Sequence, residues 1–163
     1  MFNPRQLIIL TTVALTIAQP LPGPHFNWDC TNTRGTCNNA CFASNCLGLP
    51  NELTYDSVRP NAYGRRRDSG CGRTPCSKQK YKYMDFGNSC DEYPFASTFE
   101  GGAGAILRCV DSTENESKLY NIVFHIAIIS FTALGEGGQL SAFYRNVPHG
   151  HRFTLWLSNY GLA

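Results

Sequence analysis

Two acids stand side by side in the stretch SCDEYPFASTFEGG, residues 89–102, directly behind a cysteine. Asp91 and Glu92 are of the residue type that accepts protons and holds hard cations, and hydrolysis needs both jobs done at one point. Neighbours on a strand point to opposite faces, so at most one of the pair is expected in a given cleft. Exposed acid pairs are also common and usually do nothing. The setting is what favours chemistry here. Cys90 can pin the strand through a disulfide, Tyr93, Pro94 and Phe95 fix the backbone and add an aromatic wall, and the glycines that follow admit a ligand backbone at close range. A small polar group on a rigid support is what a hydrolytic site requires.

The elements that must hold these acids can be read around them. Residues 80–86 alternate as a strand leading into the motif, and EGGAGAILRCV reads as a glycine-rich turn feeding a strand over residues 105–110. Leu140, Phe143 and Tyr144 form an i, i+3, i+4 stripe, which predicts a short amphipathic helix over residues 137–146. HRFTLWLS, after the NVPHG turn, is a strand candidate. Residues 61–75 are turn-rich and basic, and residues 30–46, with small polar spacers between cysteines, read as a bridged turn or short helix. The fold class is α+β: a small antiparallel sheet with short helices and a disulfide staple.

The 163 residues fit one domain. Arg5, the apolar run LIILTTVALTI and the Thr16-Ile17-Ala18 site read as a signal peptide over residues 1–18, too short for a membrane span. The proline-bearing residues 19–29 read as a lead-in, and the domain as residues 30–163. Secretion implies an oxidising compartment, so the eight cysteines, Cys30, Cys37, Cys41, Cys46, Cys71, Cys76, Cys90 and Cys109, are expected to form four disulfides of undetermined pairing. Zinc is disfavoured, because the Cys37-x3-Cys41 and Cys71-x4-Cys76 spacings are loose and carry no flanking histidine. Net charge is only +2, yet residues 65–82 hold seven cationic side chains and one acid. Arg65, Arg66, Arg67 and Arg73 in that run are candidate phosphate contacts, against the alternative of a solvated loop.

CDEYPFAST followed by EGGAGAILRCV resembles the NucA/NucB family of secreted, non-specific deoxyribonucleases, in its fungal-type form. Glu114-Asn115 and GGQLSAFYR are similar to further blocks of that family. The resemblance implies a core like that of the ββα-metal nucleases, a divalent Mg²⁺ or Mn²⁺ ion, and a DNA substrate. It makes Asp91 the general base that activates water, where many relatives use histidine. Glu92 is secondary, orienting or ligating through water. Asn115 is the candidate metal ligand, with Glu114 and Glu136 beside it, and Arg108 is a candidate contact to phosphate. A secreted monomer without stable membrane association is expected, and whether a protein inhibitor partners it is left open.

The sequence departs from that family in one place. Residues 118–135 separate ENES from EGGQLSAFYR, and deleting them restores the family spacing, with Glu136 where glutamine is usual. Residues 119–135 carry no charged side chain, although charge is frequent on both sides, which suits a buried strand better than a membrane span. The insertion reads as a retained short intron, the alternative being a genuine apolar insertion. If it is real, it is expected to part Asn115 from the following helix and weaken or abolish activity. A rival reading is therefore a non-catalytic secreted binding or effector protein on the same scaffold. His125 lies in the insertion, His149 and His151 in a turn, and His25 before the domain, so none is a catalytic candidate. Asn115 also opens an N-x-S sequon, which is expected to be unused in an active enzyme.

Overall fold

The computed structural model describes residues 23–77, 87–116 and 134–160. The proposed signal peptide, the strand expected over residues 80–86, Lys78, Lys80 and Lys82 of the basic run, and residues 118–133 with His125 lie outside the described residues. Among the described residues, five strands and four α-helices follow in the order β1 (His25–Asp29), α1 (Arg34–Cys41), β2 (Glu52–Thr54), α2 (Arg59–Ser69), β3 (Ser89–Tyr93), β4 (Ile106–Val110), α3 (Ser112–Asn115), α4 (Glu136–Tyr144) and β5 (Arg152–Ser158). This is the α+β class expected.

Strand β5 is central in a three-stranded sheet of order β1-β5-β2, with β1 parallel and β2 antiparallel to it. The sheet is thus mixed rather than purely antiparallel. The extra strand comes from the segment read as a lead-in. Past Pro24 the chain is free to pair, and HFNWD alternates so that Phe26 and Trp28 turn inward. Phe26 sits opposite Leu155 and Leu53 opposite Phe153, all buried against Phe95 and, from α4, Leu140. Each such side chain contributes about 1.5–3 kcal/mol by leaving water. Strand β1 thus belongs to the core sheet, within the segment the sequence reads as a lead-in.

Helix α2 replaces the turn expected around residues 61–75. Its sequence buries no residue, so no apolar stripe announces it. Its ends are conventional: Pro60 sits in the first turn, Arg66 and Arg67 in the last, and Gly70 closes it with φ of 103°. Helix α4 follows the expected stripe only in part, since Glu136 and Gln139 are buried along with Leu140. Gln139 explains its own burial. Its side chain accepts from the backbone N–H of Asp29 and donates to the Asp29 carbonyl, each at 2.9 Å, which ties α4 to β1.

A second, two-stranded sheet pairs β3 with β4 antiparallel, Cys90 opposite Cys109 and Asp91 opposite Arg108. With α3 after it, the order is ββα. Disulfides Cys71–Cys90 and Cys76–Cys109 fasten this hairpin to the turns after α2, and Cys30–Cys37 links the end of β1 to α1. The expected fourth bridge is not formed. Cys41 and Cys46 are free: the Asn45 amide donates to the Cys41 sulfur at 3.3 Å, and Cys46 faces solvent.

The insertion does not pull its flanks apart as expected. Gly135 rests directly on the end of α3, where a Cβ would lie 2.5 Å from the Thr113 carbonyl oxygen and 2.6 Å from that of Glu116. The last residue of the insertion therefore meets the flank that precedes it, and only glycine fits that approach. Asn115 and Glu136 consequently line the same cavity.

Candidate active site

The cavity has a volume of about 670 Å³ and is walled by β3, α2, α3 and α4. Asp91 and Glu92 both border it, although they point apart as strand alternation requires. Asp91 turns toward α1, where the Asn39 amide donates to its Oδ2 at 2.9 Å and to the Ile106 carbonyl at 3.0 Å. Glu92 turns toward α2, where the Ser69 hydroxyl donates to it and Arg66 Nη1 lies 3.6 Å from its Oε1. Neither acid is exposed: Asp91 is 3% and Glu92 5% accessible. The expectation that only one of them could reach the cleft is corrected by the helices on both sides, which leave the cavity open to both.

Glu136, in the first turn of α4, completes the acidic floor. It is 5% exposed and hydrogen-bonded to Asp91. Burial pushes the Asp91 carboxyl up to about 6, with the charge of Glu92 adding to the effect. Burial also pushes Glu136 well above the usual carboxylate range, and the charge of Asp91 pushes it further. Their mutual hydrogen bond favours an ionised Asp91 beside a protonated Glu136. Glu92 is raised by burial, offset by the Ser69 hydroxyl and the Arg66 charge. One oxygen in each of Glu92 and Glu136, Oε1 and Oε2 respectively, is buried without a hydrogen-bond partner. Leaving such an atom unpaired costs roughly 1–3 kcal/mol, the mark of a site shaped for something other than stability.

Asn115 reaches the opposite wall from α3. Its amide nitrogen donates to the Ser89 hydroxyl at 3.0 Å and to the Cys90 carbonyl at 2.9 Å. The nitrogen that a glycan would occupy is thus spent on these two bonds. Asp111 caps the short helix that presents Asn115, accepting from the Thr113 N–H at 2.7 Å.

Five sequence candidates, Glu114, Arg108, Arg65, Arg67 and Arg73, do not border the cavity. Glu114 is held elsewhere: its Oε2 accepts from the Gly35 N–H at 2.6 Å at the N-terminus of α1, where a carboxylate is favoured by the helix dipole. Arg108 is the cross-strand neighbour of Asp91 but does not border the cavity. Arg65 donates to the Ala96 carbonyl and to buried Asp56, and stacks over Phe99 at 5.3 Å, so it is a structural residue. Arg66 does border the cavity, and Arg67 and Arg73 are exposed close to it in sequence. Sequence reasoning missed Asn39, Ser69 and Tyr63. Tyr63 stands three residues before Arg66 on α2, borders the cavity and is 66% exposed. A tyrosine interleaved with arginines was its only available signal.

A model of the deoxyribonuclease NucA/NucB family matches residues 40–122, just over half of the sequence. The chain belongs to the NucA/NucB deoxyribonuclease family. It is therefore a DNA-hydrolysing enzyme. The family match contains β3, β4 and α3, hence Asp91, Glu92 and Asn115. It ends at residue 122, inside the insertion and short of α4, so Glu136 reaches the cavity through tertiary structure. No curated protein matches the chain.

A divalent ion is generally associated with NucA/NucB nucleases, and the residues present can be tested against one. Oxygen donors are the right chemistry for Mg²⁺ or Mn²⁺. The orphaned Glu136 Oε2 and the amide oxygen of Asn115 belong to residues that border the same cavity. Among the described residues no three His, Cys, Asp or Glu side chains converge into a complete cage. That suits an ion held by one or two protein oxygens, with water and phosphate supplying the rest. The residues fit.

Proposed function

We propose that the protein is a secreted, metal-dependent endonuclease that hydrolyses DNA with little sequence preference, and that Asp91 is its general base. The carrying observation is the buried Asp91–Glu136 pair on the cavity floor, with Asn115 across from it and Arg66 alongside. A general base works best with a pKa near the operating pH, and a carboxylate raised to about 6 by burial has that property. In this reading Asp91 takes a proton from the attacking water, while the amide of Asn39 holds its carboxylate in place. Arg66 neutralises charge on the phosphodiester. Asn115, with Glu136, would hold an Mg²⁺ or Mn²⁺ ion, which when bound polarises water and stabilises phosphate charge. Arg67 and Arg73 contribute sequence-tolerant, salt-sensitive attraction to the backbone. Secretion rests on the N-terminal segment and on the disulfides.

The test is plasmid degradation with Mg²⁺ or Mn²⁺, with excess EDTA, and with Asp91→Ala. Cleavage that EDTA and the substitution both abolish is expected. EDTA-resistant cleavage would refute the metal dependence, and full activity in Asp91→Ala would refute the base.

A further inference from the structure

The cavity that holds Asp91 does not stop at α4. A second cavity of about 400 Å³ adjoins it, and Ser97, Gly137 and Leu140 line both. Volumes of this order accommodate small organic ligands. The second cavity is bounded by Tyr55 and Tyr144, whose rings are stacked with centroids 4.0 Å apart and planes 12° from parallel. The Tyr144 hydroxyl shares a hydrogen bond with Ser97 Oγ at 2.9 Å, which fixes the ring, and burial pushes its ionisation far above neutral pH. Arg145 borders the same cavity and is exposed. Among the described residues it has no carboxylate partner. It differs in this from Arg65, which Asp56 engages, and from Arg152, which Glu52 engages at 3.0 Å.

We propose that this second cavity is a nucleotide subsite. The base next to the scissile phosphodiester lies against the Tyr55–Tyr144 wall, and that nucleotide's own phosphate meets Arg145. The assignment rests on the nuclease reading of the first cavity. Three features carry it: continuity with the acidic floor, an aromatic wall, and a cation at its margin that meets no carboxylate among the described residues. A base can reach such a wall only when it leaves the duplex stack, so the occupant is a single strand or a locally opened one. Aromatic stacking of this kind contributes about 1–3 kcal/mol per base and is tolerant of sequence, because every base has a π-face.

Binding of a short, fluorescently labelled single-stranded oligodeoxynucleotide, measured by anisotropy in EDTA between about 50 and about 200 mM salt, tests the subsite without requiring turnover. Arg145→Gln should weaken binding roughly tenfold at the lower salt and reduce the steepness of log K against log salt by about 0.7, one phosphate contact. Arg145→Lys should restore the slope. Arg152→Gln, which borders neither cavity, should match the wild type in both respects. Tyr55→Leu, with folding checked by melting temperature, should weaken binding several-fold without changing the slope. A wild-type slope in Arg145→Gln, or equal losses in Arg145→Gln and Arg152→Gln, overturns the subsite. If the wild type binds but never cleaves with metal added, the nuclease reading fails while the slopes still judge the subsite.

Discussion

Replacing Asp91 with asparagine should make the protein more stable and catalytically dead at the same time. The folded-state pKa of Asp91, raised to about 6 from an ordinary 3.8, is a stability statement. A carboxyl whose folded pKa lies above its unfolded one binds its proton preferentially when folded. Its contribution is fully present below about pH 4 and is lost as the pH rises through about 6. Two pKa units correspond to about 3 kcal/mol withheld from the ionised protein at neutral pH. An asparagine in this place carries no charge, still accepts from Asn39, and has an amide to donate to Glu136. We expect Asp91→Asn to gain about 2 kcal/mol at about pH 7.5 in metal-free buffer, some 4–8 °C in melting temperature for a chain of this size. The gain should shrink as the pH falls from about 6 toward about 4, because the wild-type carboxyl then protonates. Cleavage should fall by about 10²–10⁴ from loss of the base. Thermal melts of both proteins across this pH range, beside plasmid assays, provide the check. A variant less stable than the wild type near neutral pH, or a gain that ignores pH, would show that burial does not destabilise the ionised Asp91. Retained cleavage would show that it is not the base.

Asp56 should behave with the opposite sign. Burial alone would raise it, but hydrogen bonds from Arg65, Asn61 and Val58 bring it down to about 2. About 1–2 kcal/mol of stability, discounted for solvent screening of the surrounding charges, should be present above about pH 4 and lost as the pH falls through about 2. Asp56→Asn melts should lack that step. Deleting residues 118–135 should leave the melting temperature within a few degrees and preserve cleavage, because Glu116 and Glu136, on either side of the segment, already line one cavity; a collapse of folding would show the segment to be part of the domain. Sequencing the transcript asks the related question of whether those codons are translated. Cys76→Ser with Cys109→Ser opens a loop of 33 residues. The loop-entropy model then gives a cost of roughly 3–4 kcal/mol, read as a fall of about 10 °C and a weakened hairpin under Asp91.

The local parts of this protein were legible because local physics made them. β4 and β5 show in strand-like runs, α4 in a three-residue apolar stripe, and the acidic motif in the rigid residues around it. α2 was not legible, since it buries nothing and its arginines look like a solvated loop. β1 was hidden behind prolines, and only its pairing with β5 makes HFNWD a core strand. The sequence could count eight cysteines but not say that Cys41 and Cys46 stay apart.

The site divides the same way. The sequence pointed to Asp91, Glu92 and Asn115 as candidates through contiguous motifs that resemble the NucA/NucB family, and the family match bears out that membership. Tertiary structure decided which groups share the cavity. It sent Glu114 to the α1 N-terminus and Arg65 to Asp56, and it brought Asn39 from α1 onto the Asp91 carboxylate. It also closed the gap left by the insertion, setting Glu136 beside an acid 45 positions earlier. Burial and approach between distant segments raise the carboxyl pKa values of that pair, and no linear spacing encodes either.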